Sequence, residues 1–277
     1  MDIELLAHAK VNLILDVLGE RDDGYHDIDT VMQEIELHDV ISIENGRGGF
    51  VLTCNDPSLE LDSSNLVYKA WEALKDRVKN PSVTIHIEKN IPMGAGLAGG
   101  STDCATTLLA LNELWSLNLK EDELEEIGAT LGSDVPFFIR GGTQRARGRG
   151  EILEPLSSFK DEILLLVTPN EHISSRFIYE HIKDGGRLKV DEFVSHLETS
   201  SPKAYHYMEN YMESVTCQHL PILEKIKEEM KEKGAITSLM SGSGPTVFAF
   251  FERMEEAIEA KEYFSSKFSF VELTKTV

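Results

Sequence analysis

The sequence predicts an α+β fold in two domains, on three observations. The first forty-odd residues alternate apolar and polar in the manner of strands. A β-branched run, SVTIHIEK, leads through the glycine-rich stretch IPMGAGLAGGSTDCATTLLAL into an apolar helical run. The last third of the chain orders its patterns as strand, helix, strand, strand, helix, strand, the split βαβ order of ferredoxin-like folds. At 277 residues and 41% hydrophobic content the chain buries an ample core without oligomerisation, and its length suggests two ordinary domains or one large one.

Taken in order, ELLAHAKVNLILDVLGE, the polar corner RDDGYHD, then IDTVMQEIEL and VISIE predict a meander of antiparallel strands. SNLVYKAWEALKDRVK spaces Leu66, Tyr68, Ala70, Trp71, Leu74 and Val78 near helical period, with Ser63 or Ser64 as N-cap. SVTIHIEK is a strand entering the glycine loop, and Ser101 to Trp115 the helix leaving it. KEDELEEIGATLG is a second helix with a glycine C-cap. SDVPFFIRGGT suits a buried loop and strand, and GEILEPLSSFKDE turns polar, which sets a domain boundary near residue 155. Beyond it come strand ILLLVTP, helical material from Ser174 to about Tyr211, helix PILEKIKEEMKEKG, strand AITSLMS, strand TVFAFF, helix MEEAIEAKEYFSS and strand FSFVELT. The expected domains are residues 1–155 and 156–277.

Composition narrows the function. Lys and Arg number 27 against 48 Asp and Glu, a formal charge of −21 that repels a phosphate backbone, so nucleic acid is not an expected partner. The N-terminus MDIELLAHAK carries acids where a secretory signal carries positive charge, and no apolar run approaches membrane-spanning length. A cytoplasmic protein without a membrane partner is expected. Cys54, Cys104 and Cys217 are odd in number and far apart, as reduced thiols rather than a disulfide framework or paired metal ligands.

Gly94, Gly96 and Gly99 satisfy G-x-G-x-x-G between a strand and a helix. A dinucleotide fold would place an acidic strand end roughly 20 residues on, where this chain has the polar connection SLNLKED. The P-loop needs Lys before its hydroxyl residue, and here Gly100 precedes Ser101. A plain connecting turn would rarely need so many glycines, each of which costs folding entropy. The remaining reading is a phosphate cradle in which backbone N–H groups and the positive end of the helix stand in for a lysine. A divalent cation accompanying the nucleotide would neutralise the rest, with Ser101 or Thr102 able to ligate it.

Three segments together resemble the motifs of the GHMP kinases, the group containing galactokinase, homoserine kinase and mevalonate kinase: AHAKVNLILDVLGERDDGYHDIDTVMQEI, IPMGAGLAGGSTDCATTLLALN and SLMSGSGPTVFAFF. The resemblance covers nearly the whole chain. It implies an N-terminal domain like the second domain of ribosomal protein S5, a ferredoxin-like C-terminal domain and an active site in the cleft between them. It further implies ATP with Mg²⁺ as phosphoryl donor. Through AKVNL, DGYH and LGSDVPFF the resemblance further implies phosphorylation of the tertiary 2-hydroxyl of a cytidine-diphosphate-linked methylerythritol, a step of the non-mevalonate isoprenoid pathway.

The roles implied by the resemblance each stand beside a plainer reading. Lys10, which strand alternation alone would turn to solvent, is placed beside Asp134 and the accepting hydroxyl. Asp134, otherwise an Asx-turn residue, becomes the catalytic base. Pro92, Met93, Gly94, Ala95, Gly96, Leu97, Ala98, Gly99, Gly100, Ser101 and Thr102 hold ATP, and Asn65, otherwise a helix cap, contacts the adenine. Tyr25 stacks on the cytosine, His26 bonds its edge, Tyr179 aligns best with the second stacking ring with Phe177 as near neighbour, and Asn12 touches substrate near Lys10. Ala98 replaces a common family glycine and is expected at negative φ; Thr102 replaces the commoner serine. No acidic residue is assigned as Mg²⁺ ligand. Four of the ten arginines fall in RGGTQRARGRG, where attraction of phosphate and a solvated strand are equal readings. Other classes, a ligand sensor on this fold or a hydride-transfer enzyme, are disfavoured by retention of Lys10 with Asp134 and by the missing acidic strand end.

Overall fold

The computed structural model describes residues 2–182 and 185–277, apart from the side chain of Asp2. Two long strands open the chain, β1 (Asp2–Glu20) and β2 (His26–Asn45), paired with each other through the corner at residues 21–25. The two segments IDTVMQEIEL and VISIE are thus one strand, which pairs along Ile28–Gln33 with one neighbour and along Val40–Asn45 with another. The chain forms two compact units interleaved along its length. One comprises the chain through Ala9, Leu37–Met93 and Ala98–Gly141; the other comprises Lys10–Glu36, Gly94–Leu97 and Gly142–Val277.

In the first unit the C-terminal half of β2 pairs antiparallel with β4 (Val83–Glu88), Ile41 opposite Ile87, and β3 (Phe50–Cys54) lies parallel to β4 on its other side. The pattern analysis missed β3: five residues at a sheet edge leave little alternation to detect. Helix α1 (Leu66–Leu74) begins at Asn65, not at a serine, and Trp71 stacks against Tyr68 and Phe50 while its indole N–H donates to Pro81 O at 2.8 Å. Helix α2 (Gly99–Leu114) starts two residues before the expected Ser101, and α3 (Glu121–Leu131) follows it. The helix that leaves the glycines is followed by two more helices, not by a parallel strand, so the dinucleotide reading of the glycines has no structural counterpart. FFIR is helical, α4 (Phe137–Arg140), where a strand was expected. Phe137, Phe138 and Ile139 are all buried, which erases alternation, and Gly141 at φ +66° ends the turn.

In the second unit the N-terminal half of β2 pairs with β5 (Thr143–Gly148), which pairs with β6 (Ile152–Pro155). The polar segment around residue 152 is thus partly strand, with an exposed edge that mimics a turn in composition. The C-terminal sheet runs β10 (Phe270–Lys275), β7 (Ile163–Thr168), β9 (Val247–Phe251), β8 (Thr237–Met240), every neighbour antiparallel. This is the order a split βαβ repeat produces. Helices α5 (Ser175–His181), α6 (Val190–Glu198), α7 (Glu213–His219) and α8 (Ile222–Glu232) lie between β7 and β8 in sequence, and α9 (Met254–Ser265) between β9 and β10. Leu223, Ile226 and Met230 of α8 and Ala257, Ala260 and Phe264 of α9 bury one helical face each against Leu165, Val167, Val247 and Ala249. The fold is α+β throughout. All three cysteines are free thiols, and among the described residues no helix is long and apolar enough to cross a membrane.

Candidate active site

Lys10 and Asn12 are two apart on β1 and share a face, as period two requires. Both are buried, at 4% and 1% exposure, so Lys10 does not point to solvent. The Lys10 ammonium donates to Asn12 Oδ1 at 2.7 Å; the Asn12 amide donates to Thr30 Oγ1 at 2.9 Å, and the Thr30 hydroxyl to Ile14 O at 2.7 Å. Thr30, on β2, escaped the sequence reading. Its only signal was a hydroxyl at an inward position of an otherwise apolar alternation. The relay positions the Lys10 ammonium, because the side chain that accepts from it is itself bonded to a third, backbone-anchored side chain.

The glycine loop is tied down on the same unit. Lys10 N donates to Leu97 O at 3.2 Å, Ser241 Oγ to Gly96 O at 2.9 Å and Thr246 N to Ala95 O at 3.3 Å. Gly94 and Gly96 have φ of +63° and +78°. A Cβ on Gly96 would sit 2.2 Å from Ser241 O, so no other residue fits. The segment SGSGPT therefore packs behind the loop. Asn210 in turn donates to Met240 O and Gly242 O, both at 2.7 Å.

Ala98 is left-handed at φ +59°, contrary to the negative φ expected of it. It occupies the N-cap of α2 and has no side-chain acceptor to offer. Ser101 and Thr102 both turn their N–H groups back to Ala98 O at 3.0 Å. Gly99 and Gly100, with no helical carbonyl beneath them, keep amides directed out of the helix end. The first turn holds no acidic residue, so nothing on α2 competes with an anion for its positive end. Met93, Gly94 and Gly100 are exposed, Pro92 is half-buried, and Thr102 is buried.

On the same unit as α2, Asp134 is half-buried in the turn between α3 and α4. Ser101 Oγ lies 3.9 Å from where a Cβ on Gly132 would stand, so the first turn of α2 and the Asp134 turn are neighbours. Asn65 caps α1, accepting from Val67 N at 2.8 Å and donating to Glu60 O at 2.7 Å. Also here is a buried group the motifs did not flag. Lys89 Nζ donates to Asp39 Oδ2 at 2.5 Å and to Asp103 Oδ2 at 3.0 Å. Burial works against charge on Lys89, and the two carboxylates more than offset it, leaving its pKa above the ordinary lysine value. Burial pushes the Asp103 carboxyl up to about 7; Lys89 opposes that rise and Asp39 adds to it. Among the described residues no three His, Cys, Asp or Glu side chains gather as a metal cage.

The expected cytosine residues lie in the second unit. Tyr25 is 53% exposed, in a corner set by Gly24 at φ +80° and by Asp23 Oδ1 accepting from Tyr25 N at 3.1 Å. The His26 and Tyr179 rings are 5.2 Å apart. Phe177 instead packs on His181 and His219, at 4.0 and 4.8 Å, which leaves Tyr179 as the ring beside His26. Arg149 lies over Tyr25, 4.9 Å from its centroid. The other clustered arginines are engaged by acids: Arg140 by Asp122 and Glu125, Arg145 by Asp29 and Asp191, Arg147 by Glu154.

Comparison with known proteins adds to this geometry. Residues 65–142 match the family described as GHMP kinases N terminal domain, and residues 202–269 match GHMP kinases C terminal. A relative from Clostridium novyi (strain NT), named 4-diphosphocytidyl-2-C-methyl-D-erythritol kinase, is 41% identical, covering 98% of this chain and 99% of its own. A protein of the same name from Caldanaerobacter subterraneus subsp. tengcongensis is also 41% identical, over 100% of this chain and 98% of its own. A crystal structure of 4-(cytidine 5'-diphospho)-2C-methyl-D-erythritol kinase superposes with a TM-score of 0.85 at 31% identity, covering 99% of both chains.

Proposed function

This chain belongs to the GHMP kinase family, and from that premise we propose that it phosphorylates the 2-hydroxyl of 4-diphosphocytidyl-2-C-methyl-D-erythritol with ATP, in the non-mevalonate route to isoprenoid precursors. The observation that carries the reading is the adjacency of two parts within one unit: the uncapped first turn of α2 and the turn bearing Asp134, linked where Ser101 approaches Gly132. An anion-binding helix end beside a carboxylate is what phosphoryl transfer to an alcohol requires, since positioning and charge stabilisation dominate that reaction.

In this reading Pro92 to Thr102 cradle the triphosphate, and the Gly99 and Gly100 amides donate to its oxygens. Mg²⁺ enters with the nucleotide as part of the substrate. Asn65, acting from its cap position, borders the adenine. Asp134 accepts the proton of the attacking hydroxyl, and Lys10, held by Asn12 and Thr30, orients the carboxylate and the alcohol and offsets developing charge. Tyr25 and Tyr179 enclose the cytosine, and His26 bonds to its edge. Residues 1–155 supply the nucleotide side and 156–277 complete the substrate side. The enzyme acts in the cytoplasm on a small molecule, without nucleic acid or membrane.

An ADP-release assay offering the cytidyl substrate, mevalonate and homoserine side by side tests the substrate; preference for either of the last two overturns it. Asp134→Asn lowers turnover by about 10² or more, and a folded variant with near-normal turnover removes Asp134 from the role of base.

A further inference from the structure

The loop has a cation after all, but a hidden one. Lys89 directly follows β4, immediately before the glycine-rich stretch, and its side chain is 4% exposed. Its two carboxylate partners hold opposite ends of that stretch, Asp39 from β2 and Asp103 from α2. Asp39 is fully buried and holds the entrance: its Oδ1 accepts from Asn90 N at 2.5 Å and from Ile91 N at 2.8 Å, while its Oδ2 takes the Lys89 proton donor. Asp103, 3% exposed, belongs to the start of α2, and only its Oδ2 is bonded, to Lys89; its Oδ1 is buried with no hydrogen-bond partner. The loop and helix entrance from Ile91 to Asp103 are thus pinned at both ends by one ammonium. A Cβ on Gly99 would lie 3.0 Å from Lys89 Nζ and 3.1 Å from Ile91 Cγ2. Lys89, anchored by two carboxylates, has no room to withdraw, so the first turn of α2 rests directly on the triad.

Three charges buried together are a poor source of stability; apolar replacements of similar volume are often neutral or better. An arrangement that retains them, leaves one carboxylate oxygen unsatisfied and fastens backbone at two points serves geometry. We propose that Lys89, with Asp39 and Asp103, is a positioning residue for the nucleotide: the triad fixes the direction in which the Gly99 and Gly100 amides point. It touches no reacting atom and acts through the backbone. Its reach is confined to the nucleotide side, because all three residues and the helix they hold belong to one unit, whereas Tyr25, His26 and Tyr179 belong to the other. This inference rests on the reading of residues 92–102 as the triphosphate cradle.

The test is calorimetric titration of the full chain with a non-hydrolysable ATP analogue plus Mg²⁺ and, separately, with the cytidyl substrate. Asp103→Asn keeps the shape and weakens the charge clamp. The expected result is about tenfold weaker analogue binding, of the order that small misplacements at a site produce, with cytidyl affinity within about twofold of the parent. Lys89→Met combined with Asp103→Asn removes one charge of each sign and is expected to show the same split. If that pair fails to fold, Asp103→Asn alone decides. Gly100→Glu, placing a carboxylate at the helix end where a side chain has room, controls for the cradle. Unchanged analogue affinity in Asp103→Asn beside abolished binding in Gly100→Glu overturns the positioning role and leaves the cradle standing. Full binding in Gly100→Glu overturns the cradle itself. A parallel fall in affinity for both ligands shows general structural damage and likewise overturns the proposal.

Discussion

Every residue of the turn Ser241–Thr246 is buried, whereas Gly94 and Gly100 of the loop before α2 are exposed. Both segments are rich in glycine and both use left-handed backbone, at Gly242 and Gly244 in one and at Gly94 and Gly96 in the other. The buried turn needs glycine because its own neighbours leave no space: a Cβ on Gly244 would meet Met240 Sδ at 2.6 Å. The exposed loop splits. Gly96 is required by the turn behind it, while Gly100 has only Leu66 near, at 3.9 Å. Glycine at positions 244 and 96 satisfies the protein's own packing. At Gly100 packing makes no such demand, and glycine leaves an open approach to the backbone amides, as the proposed triphosphate cradle needs. A glycine count does not separate the two uses, but the contacts of a hypothetical methyl group do.

Substitutions ordered by this criterion sharpen the contrast. Gly96→Ala combines a collision with backbone oxygen and a left-handed φ, and is expected to destabilise by about 3 kcal/mol or more; a melting temperature close to the parent's would show the loop free to lift away from Ser241. Gly244→Ala meets a thioether that can rotate aside, so denaturant titration should find a loss of about 2 kcal/mol, chiefly from φ +86°. Ala98→Gly runs the other way. The alanine already bears the left-handed strain, and glycine relieves it, for a gain of about 0.5–1 kcal/mol after the entropy of the unfolded chain is charged against it; a loss measured by the same titration would place some other constraint at the α2 N-cap. Gly100→Ala is the smallest in stability, a gain of about 0.5 kcal/mol from helix propensity, yet it should raise the KM for ATP several-fold. Unaltered KM in steady-state kinetics would mean that no ligand approaches there.

The strand–loop–helix unit, the ferredoxin-like order and the motif positions were legible in the sequence because each rests on local period or on a fixed spacing. What stayed hidden depends on partners far away in the chain. Asp39 and Lys89 are fifty residues apart, and nothing in EIELHDV or IEKNIP announces that a carboxylate from one will cap the backbone of the other. Thr30 is one of many strand threonines until Asn12 is seen facing it. Strand β3 was lost to its brevity, α4 to uniform burial. Ala98 was misread because residue preference fixes only the cost of a φ value, and the surrounding loop decided that the cost would be borne.

The arginines near residue 145 bear on how a nucleotide first finds this protein. All four lie beside acids on their own surface, so they form no locally positive patch within a chain of formal charge −21. A phosphate-bearing molecule diffusing inward meets a repelling field whose range contracts to roughly 10 Å in 0.1 M salt. Capture is therefore governed by what lies within a few ångströms, where exposed backbone amides and not long-range attraction must hold the phosphates.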